Sequence, residues 1–237
     1  MIEKAKRAIF LAAGFGSRLL PITETVPKPL VKVNGVRIID TLIDACLAAD
    51  IKEIYVVRGY LADQFSCLRE KYPMIRFLNN SAYETTNNIS SAFLAQNLLE
   101  NAYVFEADLF LSNPSLIQPY HESSNVLGIP VDSTGDWCLI ADAEGNVAEE
   151  KLGGHGPNCY QMIGIYYWNA ADGRRLKNDL NHIYSTVPSG KDLYWETVPN
   201  QLFQGKYKIK IRPCEKSDIV EIDTFDELVA IDSSYQR

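Results

Sequence analysis

The chain has 237 residues, of which 46% are hydrophobic, and it carries a net charge of -7 at pH 7. This length can form one sizeable core, and the acidic balance argues against nucleic acid or an anionic membrane as the main partner. No apolar run approaches the roughly 18 residues of a membrane helix, so the sequence predicts a cytoplasmic protein without membrane insertion. The five cysteines lack Cys-x-x-Cys spacing, which argues against zinc and disulfides.

The first half of the chain alternates predicted strands with predicted helices. Strands are expected at residues 8–11, 54–57, 75–78 and 103–107, and helices at 38–49, 62–71 and 90–99. This βαβαβ order predicts a parallel sheet with right-handed crossovers. Because ligands of such sheets bind at the carboxyl ends of the strands, the site is expected beside the loop after Leu11 and beside Asp108.

The second half is predicted to extend the same sheet. Strands are expected at residues 126–131, 137–140, 162–168, 207–211 and 219–223, a turn at 142–146, and helices at 172–184 and 192–203. A last helix is expected after Thr224 or Asp223, since either residue can cap it. The predicted fold class is α/β: a single Rossmann-like domain with a mixed, mostly parallel sheet flanked by helices, and an antiparallel extension over one side of the site.

A glycine-containing loop after the first strand is typical of a phosphate cradle. It consists of Leu11, Ala12, Ala13, Gly14, Phe15, Gly16 and Ser17, and the cations Arg18 and Lys28 follow it. Small residues let the N–H groups of a strand-to-helix turn approach an anion, and two cations neutralise further phosphate. A Walker A loop is excluded because Gly16 is not followed by Lys and Ser or Thr, and a dinucleotide site is disfavoured because the second strand ends in Arg58 instead of an acid. The loop therefore predicts a nucleoside triphosphate as ligand.

Two aspartates are the predicted metal ligands. Asp108 and Asp223 each follow an apolar strand, where a carboxylate can project into a cleft from a rigid base. Together they could hold one Mg²⁺, with waters and phosphate oxygens completing the octahedron. The alternatives are an ordinary turn carboxylate for Asp108 and a helix N-cap for Asp223.

Two polar or aromatic groups are predicted to contact the rest of the substrates. The base wall consists of Tyr83, Thr86, Asn87, Asn88 and Ser90, which lie just ahead of or at the start of a helix. Their amides and hydroxyls can contact a base edge, or they can cap that helix. The second group consists of Asp136, Trp137, Tyr194, Trp195 and Glu196. Such a group can enclose a quaternary ammonium, although Tyr and Trp at helical spacing also occur in cores.

These motifs together resemble the bacterial CTP:phosphocholine cytidylyltransferases, within the nucleotidyltransferases that activate sugars and choline. The matching segments are residues 11–18 (LAAGFGSR), 27–30 (PKPL), 58–60 (RGY), 87–88 (NN), 106–108 (EAD), 136–137 (DW), 192–195 (DLYW) and 221–223 (EID). The resemblance implies that the glycine loop holds the nucleotide and that Arg18 and Lys28 bind its phosphates. It also implies that Asp108 and Asp223 ligate Mg²⁺.

The reaction implied by the resemblance is in-line attack of phosphocholine on the α-phosphorus of CTP, which gives CDP-choline and pyrophosphate. Residues 1–113 are expected to form the nucleotide-binding half of one nucleotidyltransferase domain, and residues 114–237 the acceptor-binding half. Glu221 is a further expected acceptor residue, and residues 153–157 are expected to form a loop that closes over the acceptor.

Other functions stay open at this point. The alternatives are CTP-dependent activation of 2-aminoethylphosphonate or phosphoethanolamine, sugar-1-phosphate uridylyl or thymidylyl transfer, and a regulatory nucleotide-binding module. The expected partners are CTP and a small phosphorylated amino alcohol, and the sequence also leaves open a fusion to, or an association with, a kinase domain.

Overall fold

The computed structural model describes residues 2–236 and contains fifteen strands and five α-helices in that range. The strands are β1 (Glu3–Lys4), β2 (Arg7–Ala12), β3 (Lys32–Val33), β4 (Val36–Arg37), β5 (Glu53–Arg58), β6 (Arg76–Asn79), β7 (Ala102–Glu106), β8 (Leu109–Leu111), β9 (Tyr120–His121), β10 (Asn125–Pro130), β11 (Ser133–Ala141), β12 (Val147–His155), β13 (Cys159–Trp168), β14 (Lys210–Pro213) and β15 (Ile219–Glu221). The helices are α1 (Ile38–Ala48), α2 (Leu68–Lys71), α3 (Ile89–Leu94), α4 (Ala170–Thr186) and α5 (Phe225–Ile231). None of the described helices combines the length and the apolar character needed to cross a membrane.

The central sheet is mixed and has nine strands. Seven of them follow the order β12, β11, β13, β7, β2, β5 and β6, and β10 pairs with both β13 and β14. The strands β7, β2, β5 and β6 run parallel to one another, whereas β13, β11 and β12 add to them antiparallel. The predicted α/β fold is therefore confirmed, with its mostly parallel centre and its antiparallel extension.

Both faces of the sheet are buried at its central strands β2 and β7, as the side chains of β2 illustrate. Phe10 faces a core that includes Leu42 of α1, whereas Ile9 faces a second core that includes Leu176 of α4. Successive side chains of a strand point to opposite faces, so an almost continuous apolar run is what a strand covered by helices on both sides requires. The sheet thereby holds the carboxyl ends of β2 and β7 in a fixed relation.

The pairing of β8 with β15 brings two distant segments together. In this antiparallel pair Glu221 lies opposite Leu109, and the N–H of Ile222 donates to the carbonyl of Asp108 at 3.2 Å. Asp108 precedes β8 and Asp223 follows β15, so the two aspartates lie at the same end of this antiparallel pair. Thr224 caps α5 by accepting from the N–H of Glu227, whose carboxylate accepts from Thr224 in return.

Two local predictions for the second half are wrong. Residues 192–203 do not form one helix, because the side chains of Asn87 and Asn88 bond the backbone of Asp192 and Trp195 and only a short π-helical turn, Val198–Leu202, follows. The predicted loop at 153–157 begins inside β12, an edge strand that pairs with β11 on one side. The sequence of β12 contains three consecutive charged residues, so it lacks the alternation of apolar and polar residues by which a strand can be recognised.

Candidate active site

A cavity of about 260 Å³ opens at the carboxyl ends of β2 and β7. The glycine loop contributes Leu11, Ala12, Gly14, Gly16 and Ser17 to its wall. The charged and polar groups that face this loop are Arg18, Lys28, Asn88, Glu106, Asp108 and Asp223. Ala13 and Phe15 do not line the cavity, because the carbonyl of Ala13 accepts from the N–H of Tyr60 and the ring of Phe15 packs against the rings of Tyr60 and Tyr83.

The conformation of the loop depends on Gly16. This residue has φ of 63°, and a Cβ added to it would lie 3.0 Å from the Cβ of Lys28. The hydroxyl of Thr23 donates to the carbonyl of Gly16 at 2.9 Å and holds the turn. A 3₁₀ turn, Ser17–Leu19, follows in place of the expected helix, so a helix terminus does not contribute to anion binding here. Loop N–H groups and side-chain cations are what the cavity offers to an anion.

The four predicted charged residues form one network. The ammonium of Lys28 lies 2.9 Å from Asp108 Oδ2 and 2.5 Å from Asp223 Oδ1, and the guanidinium of Arg18 lies 2.8 Å from Asp223 Oδ2. Burial alone would lower the pKa of Lys28, but the two carboxylates outweigh it and raise that pKa above the ordinary lysine value. Burial alone would raise the pKa of Asp223, but Lys28 and Arg18 lower it below its ordinary value. The network therefore favours the charged forms of Lys28 and Asp223.

The carboxylates of Asp108, Glu221 and Asp223 form an acidic cluster that fits a divalent cation. One oxygen of each residue lies within 4.8 Å of the others, and the buried Oδ1 of Asp108 has no hydrogen-bond partner among the described residues. Burial, followed by the charges of Asp108 and Asp223, raises the pKa of Glu221 to about 9. Carboxylate oxygens are the ligands that Mg²⁺ prefers, and a cation would relieve the repulsion among them. Glu221 was predicted as an acceptor residue, and the structure places it in this cluster.

The predicted base wall is divided between the cavity and the protein interior. Asn88 lines the cavity, whereas Ser90 is buried and accepts from the amide of Asn80. The hydroxyl of Thr86 donates to the carbonyl of Ala82, and the amide of Asn87 donates to the carbonyl of Asp192. Tyr83 lies against Gly59, beyond the cavity wall. Thr86, Asn87 and Ser90 thus hold the loop before α3 in place, and Asn88 is the one of the five that reaches the cavity.

The predicted aromatic cage is not assembled as expected. Trp195 is 1% exposed and packs edge-on against the rings of Tyr166 and Trp168 in the core. Trp137 and Tyr194 remain near the surface, with ring centroids 6.1 Å apart, and neither lines the cavity. The carboxylate of Asp136 accepts from the amide of Gln161. Trp137 and Tyr194 therefore form an aromatic pair, but Trp195, the third aromatic residue of the predicted cage, is not part of it.

Two neighbouring acids, Glu106 and Glu196, differ in burial: Glu106 is partly buried, whereas Glu196 is 2% exposed. Glu106, the last residue of β7, lines the cavity, whereas Glu196 is not among the residues that line it. Burial raises the pKa of Glu196 to about 7, and burial together with the charge of Glu196 raises that of Glu106 well above its ordinary value. Sequence reasoning missed Glu106, although its place at the end of a buried strand two residues before Asp108 was a usable signal.

The similarity of this chain to known proteins is consistent with the geometry of this cavity. Residues 7–113 match the family described as Nucleotidyl transferase. The chain is 37% identical to the 2-aminoethylphosphonate cytidylyltransferase of Lancefieldella rimae, an alignment that covers 96% of this chain and 92% of that protein. This chain belongs to the nucleotidyltransferase family. It is a member of the type that resembles the CTP:phosphocholine cytidylyltransferases, as the sequence motifs predicted.

Two further nucleotidyltransferases cover nearly the whole chain. The choline-phosphate cytidylyltransferase of Haemophilus influenzae is 32% identical over 93% of this chain and 93% of its own length. The solved structure of the CTP:phosphocholine cytidylyltransferase from Streptococcus pneumoniae superimposes with a TM-score of 0.88 at 27% identity, over 98% of this chain and 100% of that one. These relatives support cytidylyltransferase activity and differ in the acceptor that their names state.

Proposed function

We propose that this nucleotidyltransferase transfers the cytidylyl group of CTP to a small phosphate or phosphonate that carries a cationic amine. The observation that carries the proposal is the network of Arg18, Lys28, Asp108 and Asp223 beside the glycine loop. Such a network provides two cations for a triphosphate and two carboxylates for a metal in one cavity. The names of the relatives support CTP as the nucleotide.

The reaction needs positioning and charge neutralisation more than proton transfer. An oxygen of the acceptor forms a bond to the α-phosphorus of CTP while the bond from this phosphorus to the bridging oxygen breaks, and pyrophosphate leaves with that electron pair. The acceptor oxygen is already ionised near neutral pH, so no general base is required. In this proposal Lys28 holds the attacking and α-phosphate oxygens, and Arg18 holds the departing pyrophosphate.

Asp108, Asp223 and Glu221 are the residues that would hold Mg²⁺. The cation would supply charge neutralisation and orientation of phosphate oxygens. The ammonium of Lys28 lies between Asp108 and Asp223, and in this proposal it moves onto a phosphate group when the nucleotide binds. The glycine loop would bind the nucleotide through its N–H groups, and Asn88 is the amide that reaches the same cavity.

The proposed acceptors share one chemical class: a phosphorus oxyanion that carries a cationic amine. Phosphocholine, the predicted acceptor, and 2-aminoethylphosphonate both carry a phosphorus oxyanion and a cationic nitrogen on a two-carbon chain. The name of the Haemophilus influenzae relative supports the first compound, and that of the Lancefieldella rimae relative supports the second. The acidic lining at Glu106 suits the cationic nitrogen that both share.

Pyrophosphate release tests this proposal directly. CTP, UTP, dTTP and GTP are each incubated with phosphocholine, 2-aminoethylphosphonate, phosphoethanolamine or glucose 1-phosphate in the presence of Mg²⁺. We expect release with CTP and at least one amine-bearing acceptor. Activity restricted to glucose 1-phosphate would show a sugar nucleotidyltransferase, and nucleotide binding without turnover would show a regulatory module. Either result would refute the proposal.

A further inference from the structure

The glycine loop combines backbone freedom with a task that requires a fixed shape. Gly14 and Gly16 line the cavity, and a glycine reaches more backbone conformations than any other residue. Ordering a loop at the moment of binding costs free energy, so N–H groups bind an anion best when the free protein already holds them in place. A restraint on this loop would therefore strengthen the binding of a nucleotide.

Tyr60, in the turn after β5, bonds the chain on both sides of this loop. Its N–H donates to the carbonyl of Ala13 at 3.0 Å, and its hydroxyl donates to the carbonyl of Thr23 at 2.8 Å. The residues of the chain between these two points that line the cavity are Gly14, Gly16, Ser17 and Arg18. Tyr60 itself is not among the lining residues, so any effect that it has on a ligand passes through the chain that it holds.

Thr23 connects the hydroxyl of Tyr60 to the centre of the loop. Thr23 is buried, and its own hydroxyl donates to the carbonyl of Gly16 at 2.9 Å. The methyl group of Thr23 and the Cβ of Lys28 lie 3.1 Å and 3.0 Å from the position that a Cβ on Gly16 would occupy. Tyr60, Thr23 and Gly16 thus form one hydrogen-bonded series, which ends against the side chain of Lys28.

The attachment point at Tyr60 is itself held in place. Its ring packs against the ring of Phe15, with centroids 5.1 Å apart, so the tip of the loop rests on the same residue. The side-chain amide of Gln64, in the 3₁₀ turn that follows Tyr60, donates to the carbonyl of Thr25 at 2.7 Å. The segment after β5 therefore bonds the chain beyond the loop at two carbonyls, those of Thr23 and Thr25.

We infer that Tyr60 is a positioning residue for the nucleotide: through Ala13 and Thr23 it holds the glycine loop in the shape that binds the triphosphate of CTP. This inference rests on the proposed function, because it assigns a role in the binding of the same nucleotide. Since Tyr60 acts on the loop alone, its contribution belongs to CTP binding, whereas acceptor binding and the chemical step do not depend on it.

Tyr60→Phe tests this role, because it removes the bond to Thr23 and retains the ring against Phe15. In assays of pyrophosphate release, KM for CTP should rise about threefold to tenfold, as the loss of one hydrogen bond predicts, while kcat and KM for the acceptor stay within about twofold. Tyr235→Phe is the matched control, because the hydroxyl of Tyr235 also donates to a main-chain carbonyl, that of Lys32, at 2.8 Å. It should leave KM for CTP within about twofold of the wild type.

Variants of Thr23 test the second bond of the series. Thr23→Val removes the hydroxyl that bonds Gly16 and should raise KM for CTP about threefold to tenfold, whereas Thr23→Ser, which keeps a hydroxyl, should stay within about twofold. Because Tyr60 acts partly through Thr23, Tyr60→Phe should have a smaller effect on KM for CTP in the Thr23→Val background than in the wild type. If Tyr60→Phe does not fold, the comparison of Thr23→Val with Thr23→Ser decides.

Three results would overturn the inference: a rise in KM for CTP below about threefold in Tyr60→Phe, an equal rise in KM for the acceptor, or an undiminished effect in the Thr23→Val background. Absence of pyrophosphate release by the wild type with every acceptor would count against the proposed function instead. Calorimetric binding of CTP to the wild type and to Tyr60→Phe then decides the inference. Binding to the variant should be weaker by at least about threefold, and equal binding would overturn the role of Tyr60.

Discussion

Replacing Lys28 by methionine removes the cation on which the acidic cluster depends. Lys28 and Asp223 are 10% and 14% exposed at their side chains, and Asp108 is 25% exposed. Loss of one partner from a buried ion pair costs about 3–5 kcal/mol, and the partial exposure of Asp108 favours the lower end of this range. We therefore expect Lys28→Met to lose about 3 kcal/mol of unfolding free energy near neutral pH in the presence of a chelator.

Urea unfolding measures this loss, and Mg²⁺ adds a second readout. The cation should stabilise Lys28→Met more than the wild type, because in the variant it no longer competes with an ammonium for Asp108 and Asp223. Lys32→Met, which changes an exposed lysine, is the matched control and should stay within about 0.5 kcal/mol of the wild type. A loss below about 1 kcal/mol, or equal stabilisation of both proteins by Mg²⁺, would refute the reasoning.

Three further predictions concern the loop, the last helix and pH. Gly16→Ala should cost about 1–2 kcal/mol in urea unfolding, because it imposes a left-handed conformation on a residue with a Cβ that presses on Lys28, whereas Gly14→Ala should cost less than about 0.5 kcal/mol. Thr224→Ala should cost about 1 kcal/mol through loss of the α5 cap; an unchanged urea midpoint would contradict this contribution. The raised pKa of Glu221, about 9, means that the folded chain binds more protons than the unfolded chain between the ordinary carboxyl pKa and that value. This residue therefore lowers the stability of the wild type as pH rises through that window. In the presence of a chelator, Glu221→Gln should gain stability relative to the wild type from about pH 5 to about pH 9. A difference in unfolding free energy that does not change with pH would exclude the raised pKa.

Much of the nucleotide side of the site is local in sequence and could be predicted. Gly16, Arg18 and Lys28 lie within one short segment, and the alternation of strands and helices determines the edge of the sheet at which that segment lies. Asp108 could be predicted because it follows an apolar strand. The prediction of a helix directly after the glycine loop was wrong, because a 3₁₀ turn takes its place. Helix propensity does not distinguish an α-helix from a 3₁₀ turn over three residues.

The acceptor side depends on contacts that local patterns do not contain. The pairing of β8 with β15 is three residues long and connects segments far apart in the sequence, so only the tertiary structure brings Glu221 to the acidic cluster. Trp195 was expected to contact the acceptor, but it lies in the core. Aromatic residues occur both in ligand cages and in cores, and the local sequence does not distinguish the two. The division into halves at residue 113, the cytoplasmic location and an association with a kinase stay predictions.

Turnover by aspartate variants tests the central claim most directly. Asp108→Asn and Asp223→Asn keep the size of each side chain but remove the charge that pairs with Lys28 and would hold the metal. Pyrophosphate release from CTP with the best acceptor should fall at least about a thousandfold in both, while Asp226→Asn, an exposed aspartate at the start of α5, should stay within about twofold of the wild type. Near-normal turnover in either Asp108→Asn or Asp223→Asn would contradict the account.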